Sequence, residues 1–177
     1  MTKRKERLRR CQLAVPGSSE KMMTKAAGLE VDHVFLDLED AVAPSAKVDA
    51  RGQIVTALNT LDWGTTVRCV RVNDLGTQWC YEDIITVVEG AGASLDTILV
   101  PKIKSGCDVR FVDTLLTQIE TKTGLDHRIG IEVLIEEAEG IMRVEEIAAA
   151  SPRLEVLVFG MGDYSASQGI DPAAVSR

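Results

Sequence analysis

Six short apolar runs, separated by amphipathic stretches, set the limits on how this chain can fold. They are Cys11–Val15, His33–Asp37, Val67–Val72, Thr97–Val100, Ile129–Ile135 and Val156–Phe159. Between them the spacing turns helical: Lys21–Leu29, then Val48, Arg51, Ile54, Val55, Leu58 and Leu61, then Trp79 to Val88. Val109, Val112, Leu115, Leu116 and Ile119 form a fourth helical face, and Ile141, Val144, Ile147 and Ala148 a fifth. Ser45, after Pro44, is placed as an N-cap for the second helix. Nearly continuous apolar strands alternating with such helices predict an α/β fold whose parallel sheet is covered by helices. Six βα steps suit a doubly wound sheet, and they also suit most of a barrel that needs eight strands. Pro16-Gly17-Ser18-Ser19 after the first run is not a G-x-G-x-x-G dinucleotide loop, so the pattern leaves both architectures open.

The connections are short, and 177 residues make one domain with a real core, residues 1–177. A net charge of −7 argues against nucleic acid or an anionic membrane as partner. The exception is a basic arm over residues 1–9, with Lys3, Arg4, Lys5, Arg7 and Arg9, read as a solvated tail with the capacity to steer an anionic ligand. No apolar stretch reaches the roughly 20 residues of a membrane helix. No apolar segment between the arm and Pro16 suits a signal peptide. Cys11, Cys69, Cys80 and Cys107 lack C-x-x-C or metal-type spacing and read as reduced thiols of a cytoplasmic protein.

Polar residues gather where the strands end. Asp37, Glu39 and Asp40 follow the second run, Arg71 and Asn73 the third, Lys102 the fourth, Glu136 and Glu137 the fifth, and Asp163 the sixth. In a parallel sheet these positions share the carboxyl rim, where α/β proteins place their ligands. Charges there must be paired, solvated or bound to an ion. Glu136 and Asp163 suit a hard cation such as Mg²⁺, and a solvated salt-bridge network accounts for the same spacing equally well. The backbone of Gly160-Met161-Gly162 allows close approach to a ligand carboxylate, and it also suits a simple turn. Arg71 has the planar fork for a carboxylate or enolate oxygen, or for an ion pair with the acids of the second strand. Lys21 reads as an exposed helix lysine that is also placed to neutralise a phosphate. His33 at a strand start and His127 in a loop make no convincing base, and no Ser/His/Asp or Cys/His arrangement is present.

These residues also carry a family pattern. Arg10-Cys11-Gln12-Leu13 with Val15-Pro16-Gly17, and Leu36-Asp37-Leu38-Glu39-Asp40-Ala41-Val42 with Lys47 and Ala50-Arg51, resemble the opening of the citrate lyase beta-subunit-like (HpcH/HpaI aldolase) superfamily. Val70-Arg71-Val72-Asn73, Val100-Pro101-Lys102, Leu134-Ile135-Glu136 with Gly140, and Phe159-Gly160 with Asp163 continue it in order. Leu61-Asp62-Trp63-Gly64 and Val144–Ala149 with Ser151-Pro152-Arg153-Leu154 are most similar to malyl-CoA lyases. The resemblance covers about residues 10 to 170.

It implies a TIM-type barrel, here apparently truncated after about six βα units, and Mg²⁺ (with Mn²⁺ as a substitute). The implied reaction is reversible carbon–carbon cleavage of a β-hydroxyacyl-CoA, malyl-CoA giving acetyl-CoA and glyoxylate. By the resemblance Glu136 and Asp163 ligate the metal, and Arg71 holds the substrate near its thioester or enolate. Lys21 and the first loop contact CoA, Gly162 and Asp163 border the substrate, and Glu39, Asp40 and Lys102 form the catalytic surroundings. The implied partners are an acyl-CoA, a small 2-oxo acid such as glyoxylate, and further copies of the chain in a homo-oligomer. Two departures stand out: Ala14-Val15-Pro16 in the first loop and Glu137 after the metal glutamate. Family members are longer, with two further strands and a C-terminal segment that contributes to CoA binding and catalysis. An alternative expectation is therefore a non-catalytic acyl-CoA- or metal-binding remnant of the family.

Overall fold

A computed structural model describes residues 7–171. Six strands form one sheet in sequential order, β1 (Gln12–Pro16), β2 (His33–Asp37), β3 (Val67–Arg71), β4 (Thr97–Val100), β5 (Gly130–Ile135) and β6 (Leu154–Phe159), each parallel to its neighbour. Helices α1 (Glu20–Ala27), α2 (Lys47–Thr60), α3 (Cys80–Ala91) and α4 (Gly106–Thr123) follow the first four strands. Two short helices, α5 (Ala138–Met142) and α6 (Val144–Ala148), follow β5, and α7 (Met161–Ser167) follows β6. The expected parallel α/β sheet is therefore present, with the strand order of a barrel wall rather than of a doubly wound sheet. Among the described residues the wall is not closed: β1 and β6 are its two edges.

Local sequence explains the helix boundaries. Ser19 accepts a hydrogen bond from the Met22 N–H and starts α1. In α4, Ser105 and Asp108 form a reciprocal capping box, and Gly124, at φ 69°, ends the helix in the left-handed conformation. Ser45 is not the cap of α2: a 3₁₀ turn over Pro44–Ala46 leads into the helix, whose N-cap is Ala46. The single helical stripe expected over Ile141–Ala148 is broken at Arg143 into α5 and α6.

Alternate residues of each strand face the helices or the concave interior. Leu36, Ile54, Ile84, Ile98, Val112, Leu116 and Ile131, all fully buried, belong to the layer between sheet and helices. Cys69, Leu99 and Leu134, with Phe35 and Val158 against them, make a separate apolar plug on the concave side. Close packing is tightest where Gly17 passes beneath β2. A Cβ there would lie 2.7 Å from the Asp37 carbonyl oxygen and 2.5 Å from Ile54, so only glycine lets β1 turn into α1. On β6 the helix-facing side chains Leu157 and Phe159 remain 40% and 55% exposed.

The basic arm departs from its reading as a solvated tail, for Arg7 and Arg9 lie largely buried at the amino end of the sheet. Arg7 pairs with Asp96 and Glu155, and Arg9 with Glu132 and Glu155. Lys3, Arg4 and Lys5 lie outside the described residues.

Buried charge also joins α4 to the loop before β6. Arg153, almost fully buried, donates to Asp113, to both oxygens of Glu120, to the Thr117 hydroxyl and to the Ile129 carbonyl. Glu120 in turn accepts from the Ile129 N–H. Removing one member of such a set strands the others without water, which costs about 3–5 kcal/mol. Arg153→Ala is therefore expected to lower the unfolding free energy by about that amount in urea titration; a loss below about 1 kcal/mol would mean that water enters and replaces the arginine.

Candidate active site on the carboxyl rim

The ends of β2 to β6 bring most of the singled-out residues together. Asp37, the last residue of β2, is the fixed point. Its carboxylate accepts from the backbone N–H groups of Glu39 and Ala41, folding the acidic loop back over the strand end. It also accepts from Arg71 through Nε at 2.7 Å and Nη2 at 2.6 Å, the fork geometry that only arginine offers. Burial alone would push the Asp37 carboxyl up, but Arg71 and the loop N–H groups hold it below the usual carboxylate range. Arg71 is thus in an ion pair with the second-strand acids, and its Nη1 edge remains towards the rim, 3.0 Å from Glu39 and 3.5 Å from Asp40. Burial opposes the Arg71 charge, while Asp37, Glu39 and Asp40 more than offset it and raise its pKa.

Lys102, just after β4, has φ 52°, a conformation that L-residues other than Asn and Asp seldom adopt. In this shape its backbone N–H donates to Glu136 Oε1 at 2.9 Å while its ammonium reaches Glu39 at 2.5 Å. Asp163 Oδ2 lies 3.6 Å from the same ammonium. One residue thereby links the loops after β2 and β5 with α7. Burial works against the Lys102 charge, and Glu39, Asp40 and Glu136 outweigh it, raising its pKa. Burial pushes the Glu39 carboxyl up in spite of Lys102 and Arg71.

Glu136 ends the β5 run and Asp163 lies in the first turn of α7. Glu136 is 4% exposed, and burial, together with the charges of Asp163 and Glu39, pushes its carboxyl up to about 7. Gly160 faces it closely: a Cβ at that position would lie 2.6 Å from Glu136 Oε2. The glycine therefore leaves room for the carboxylate in a cradle, while like charge crowds around it. Two neighbouring carboxylates, whose mutual repulsion Lys102 offsets only in part, suit a hard divalent cation, so the residues fit Mg²⁺.

Not every expected residue joins the group. Lys21 is exposed on the first turn of α1 and takes part in no hydrogen bond or ion pair among the described residues. Gly162 is inside α7, not in an open Gly-Met-Gly loop, with open space around its Cα. Glu137 pairs with Lys104 at 3.0 Å. His127 is in a loop as expected, beside Asp126, and His33 is buried at the opposite end of the sheet.

Sequence reasoning left the residues beneath the rim without roles. Lys47 is buried with its ammonium donating to the carbonyls of Leu38 and Glu39, both at 2.7 Å, and it lies over the Trp79 ring. Asp83, fully buried on α3, accepts from the backbone and side-chain N–H groups of Asn73 and from Arg51 Nε. Thus the Lys47 and Ala50-Arg51 pattern fixes the loops that present Glu39 and Asn73. The signal was an apolar helical face interrupted by two cations, Lys47 and Arg51.

A parallel barrel wall with a carboxylate, arginine and lysine cluster on its carboxyl rim matches one family in particular. The model of the HpcH/HpaI aldolase/citrate lyase family covers residues 10–175, and the chain belongs to that family. It is 46% identical over 166 residues to an L-malyl-CoA/beta-methylmalyl-CoA lyase of Cereibacter sphaeroides, spanning 94% of this chain and 52% of that protein. The chain thus spans about half the length of the curated relatives it matches. Its fold superposes on a citrate lyase from Burkholderia xenovorans with a TM-score of 0.86, at 22% identity and over 94% of this chain and 53% of that one. A Mycobacterium tuberculosis CitE structure, solved with magnesium, acetoacetate and coenzyme A, matches at TM-score 0.71 and 28% identity, over 90% and 51% of the two chains.

Because folding raises the Glu136 pKa, the folded chain keeps a proton that the unfolded chain loses near 4.5. The contribution to stability is full below that value and lost as the pH rises through about 7. Glu136→Gln lacks this dependence. Urea unfolding of the metal-free proteins at pH 5 and pH 8 should show the wild type losing stability relative to the variant at the higher pH; parallel curves would mean that Glu136 is solvated.

Proposed function

We propose that the chain carries the metal-and-acid half of a CoA-ester lyase site, cleaving or forming a β-hydroxyacyl-CoA such as malyl-CoA. The observation that supports this most directly is the convergence of Glu136, Asp163, Lys102 and Arg71 on one rim, in a chain 46% identical to a malyl-CoA/beta-methylmalyl-CoA lyase. Glu136 and Asp163 are the residues to hold Mg²⁺, which when bound polarises substrate oxygens as a Lewis acid.

In the cleavage direction the substrate hydroxyl gives its proton to water, the adjacent C–C bond breaks to give a 2-oxo acid, and the electron pair passes to the thioester as an enolate. The Arg71 Nη1 edge, held by the Asp37 fork, donates to the negative oxygen that develops on the acyl fragment. Because the guanidinium is already fixed and half-shielded from water, little reorganisation is needed as charge forms. Lys102 bridges the carboxylates of Glu39 and Asp163 and compensates their charge when substrate excludes water. A proton returned from water to the enolate carbon then gives acetyl-CoA, so no net proton is gained or lost, and the same steps reversed form the C–C bond. The exposed ammonium of Lys21, beside the loop after β1, suits a CoA phosphate.

A second reading, an acyl-CoA- or metal-binding chain without turnover, draws on one observation. β1 and β6 do not meet among the described residues, so the site is walled on one side only.

Two measurements separate the possibilities. Calorimetric titration should show Mg²⁺ binding weakened at least about tenfold, roughly 1.4 kcal/mol, in Glu136→Ala and in Asp163→Ala; unchanged affinity in both would remove them as ligands. Incubation with malyl-CoA and Mg²⁺ should release trappable glyoxylate, and Arg71→Ala should cut kcat by about 10²-fold or more while the protein stays folded. A folded chain that binds CoA and yields no glyoxylate would favour the second reading.

A further inference from the structure

The cations of the carboxyl rim are not equivalent. Arg71 is committed to Asp37 through both arms of its fork, Lys47 to the carbonyls of Leu38 and Glu39, and Lys104 to Glu137. Lys102 is the one that reaches a carboxylate of the metal pair. Its ammonium is bonded to Glu39 and stands 3.6 Å from Asp163 Oδ2, which pairs with no other cation among the described residues.

Those two contacts differ in strength. Glu39 is buried and its bond to Lys102 is short, whereas the Asp163 side chain is 48% exposed and its pair is loose. The ammonium can therefore give up Asp163 and stay anchored on Glu39. The main chain of the same residue positions the other carboxylate. Its N–H takes Glu136 Oε1, which leaves Oε2 over Gly160 for an ion. Glu136 is thus held by a bond that the Lys102 side chain does not make, and Asp163 by charge alone.

An ion held by Asp163 Oδ2 at about 2.1 Å lies within about 6 Å of the Lys102 nitrogen. Even with the dielectric constant of water, a unit positive charge facing a divalent ion at that range alters affinity about tenfold at low salt. We propose that Lys102 is the resident counter-cation of the rim: it occupies Asp163 in the metal-free chain, holds the affinity for Mg²⁺ down, and yields Asp163 to the ion while keeping Glu39. This role rests on Glu136 and Asp163 being the metal ligands. It makes the metal exchangeable: without the ammonium, Glu39, Asp40, Glu136 and Asp163 together would retain a divalent ion far more strongly.

The test is calorimetric titration of the full chain with Mg²⁺ at low ionic strength and pH 8, where Glu136 is ionised. Lys102→Met removes the charge and keeps the length of the side chain, and it should bind Mg²⁺ about tenfold or more tightly than the wild type. Lys102→Arg retains the charge and should stay within about threefold of the wild type. Lys104→Met removes an equal charge from the same rim, but from a half-exposed side chain paired with Glu137, and should also stay within about threefold. A damaged site binds metal less well, so a gain in affinity separates relief of repulsion from loss of structure. Unchanged or weaker binding in a folded Lys102→Met chain overturns the proposal, and so does an equal gain in Lys104→Met or in Lys102→Arg. Lys102→Gln should behave as Lys102→Met does, and it decides the matter if the methionine variant does not fold. Failure of the underlying ligand assignment looks different: wild-type affinity for Mg²⁺ would then be indifferent to Glu136→Ala and Asp163→Ala.

Discussion

Asp37 holds the carboxyl rim together through hydrogen bonds that no other residue type could make at once. Its carbonyl accepts the Gly17 N–H from the β1 loop, and its carboxylate accepts two loop N–H groups and both arms of the Arg71 fork. Those bonds align the ends of β1, β2 and β3. They also turn Glu39 towards Lys102, whose backbone N–H reaches Glu136 just after β5. The geometry of the candidate site therefore begins with a carboxylate bonded to Arg71 and to its own loop. Its ionised state is fixed by Arg71 and by oriented backbone dipoles, so the cluster remains assembled over a wide pH range even as the neighbouring Glu136 titrates near neutrality.

The two ends of the sheet carry different polar side chains although they use the same rows of inward-facing positions. At the carboxyl end are hard oxygen donors, half open to solvent, with an arginine and a lysine within reach. At the amino end, imidazole, thiol and carboxylate are sealed under Arg7 and Arg9. The apolar plug of Phe35, Cys69, Leu99, Leu134 and Val158 lies between.

Much of this was legible in the sequence because parallel strands buried on both faces read as continuous apolar runs. The runs His33–Asp37 and Thr97–Val100 coincide with β2 and β4, and charged residues just after each run mark the rim. The position of Glu136 and Asp163 at the carboxyl rim followed from that placement. What remained hidden depends on contacts remote in sequence. The Arg71–Asp37 fork, the Asp83 bridge to Asn73 and the left-handed backbone at Lys102 leave no periodic trace. The amino-end cluster was missed for a related reason. His33, Cys69 and Glu132 sit inside runs that look purely structural, and only the strand register brings them side by side. Likewise, the basic residues before β1 look like a tail until Glu155, far along the chain, supplies their partner.

The sequential strand order also has a consequence for biosynthesis. Each strand pairs with the one made just before it, so the sheet can extend one βα unit at a time as the chain leaves the ribosome, without waiting for distant sequence. The pairs from Arg7 and Arg9 to Glu155 reach furthest along the chain, 148 and 146 positions, and join the residues before β1 to β6. They form only after the sixth strand has been synthesised. The amino-terminal arginines thus act as a late latch, holding the two ends of an unclosed wall at a set separation once the sheet between them is complete.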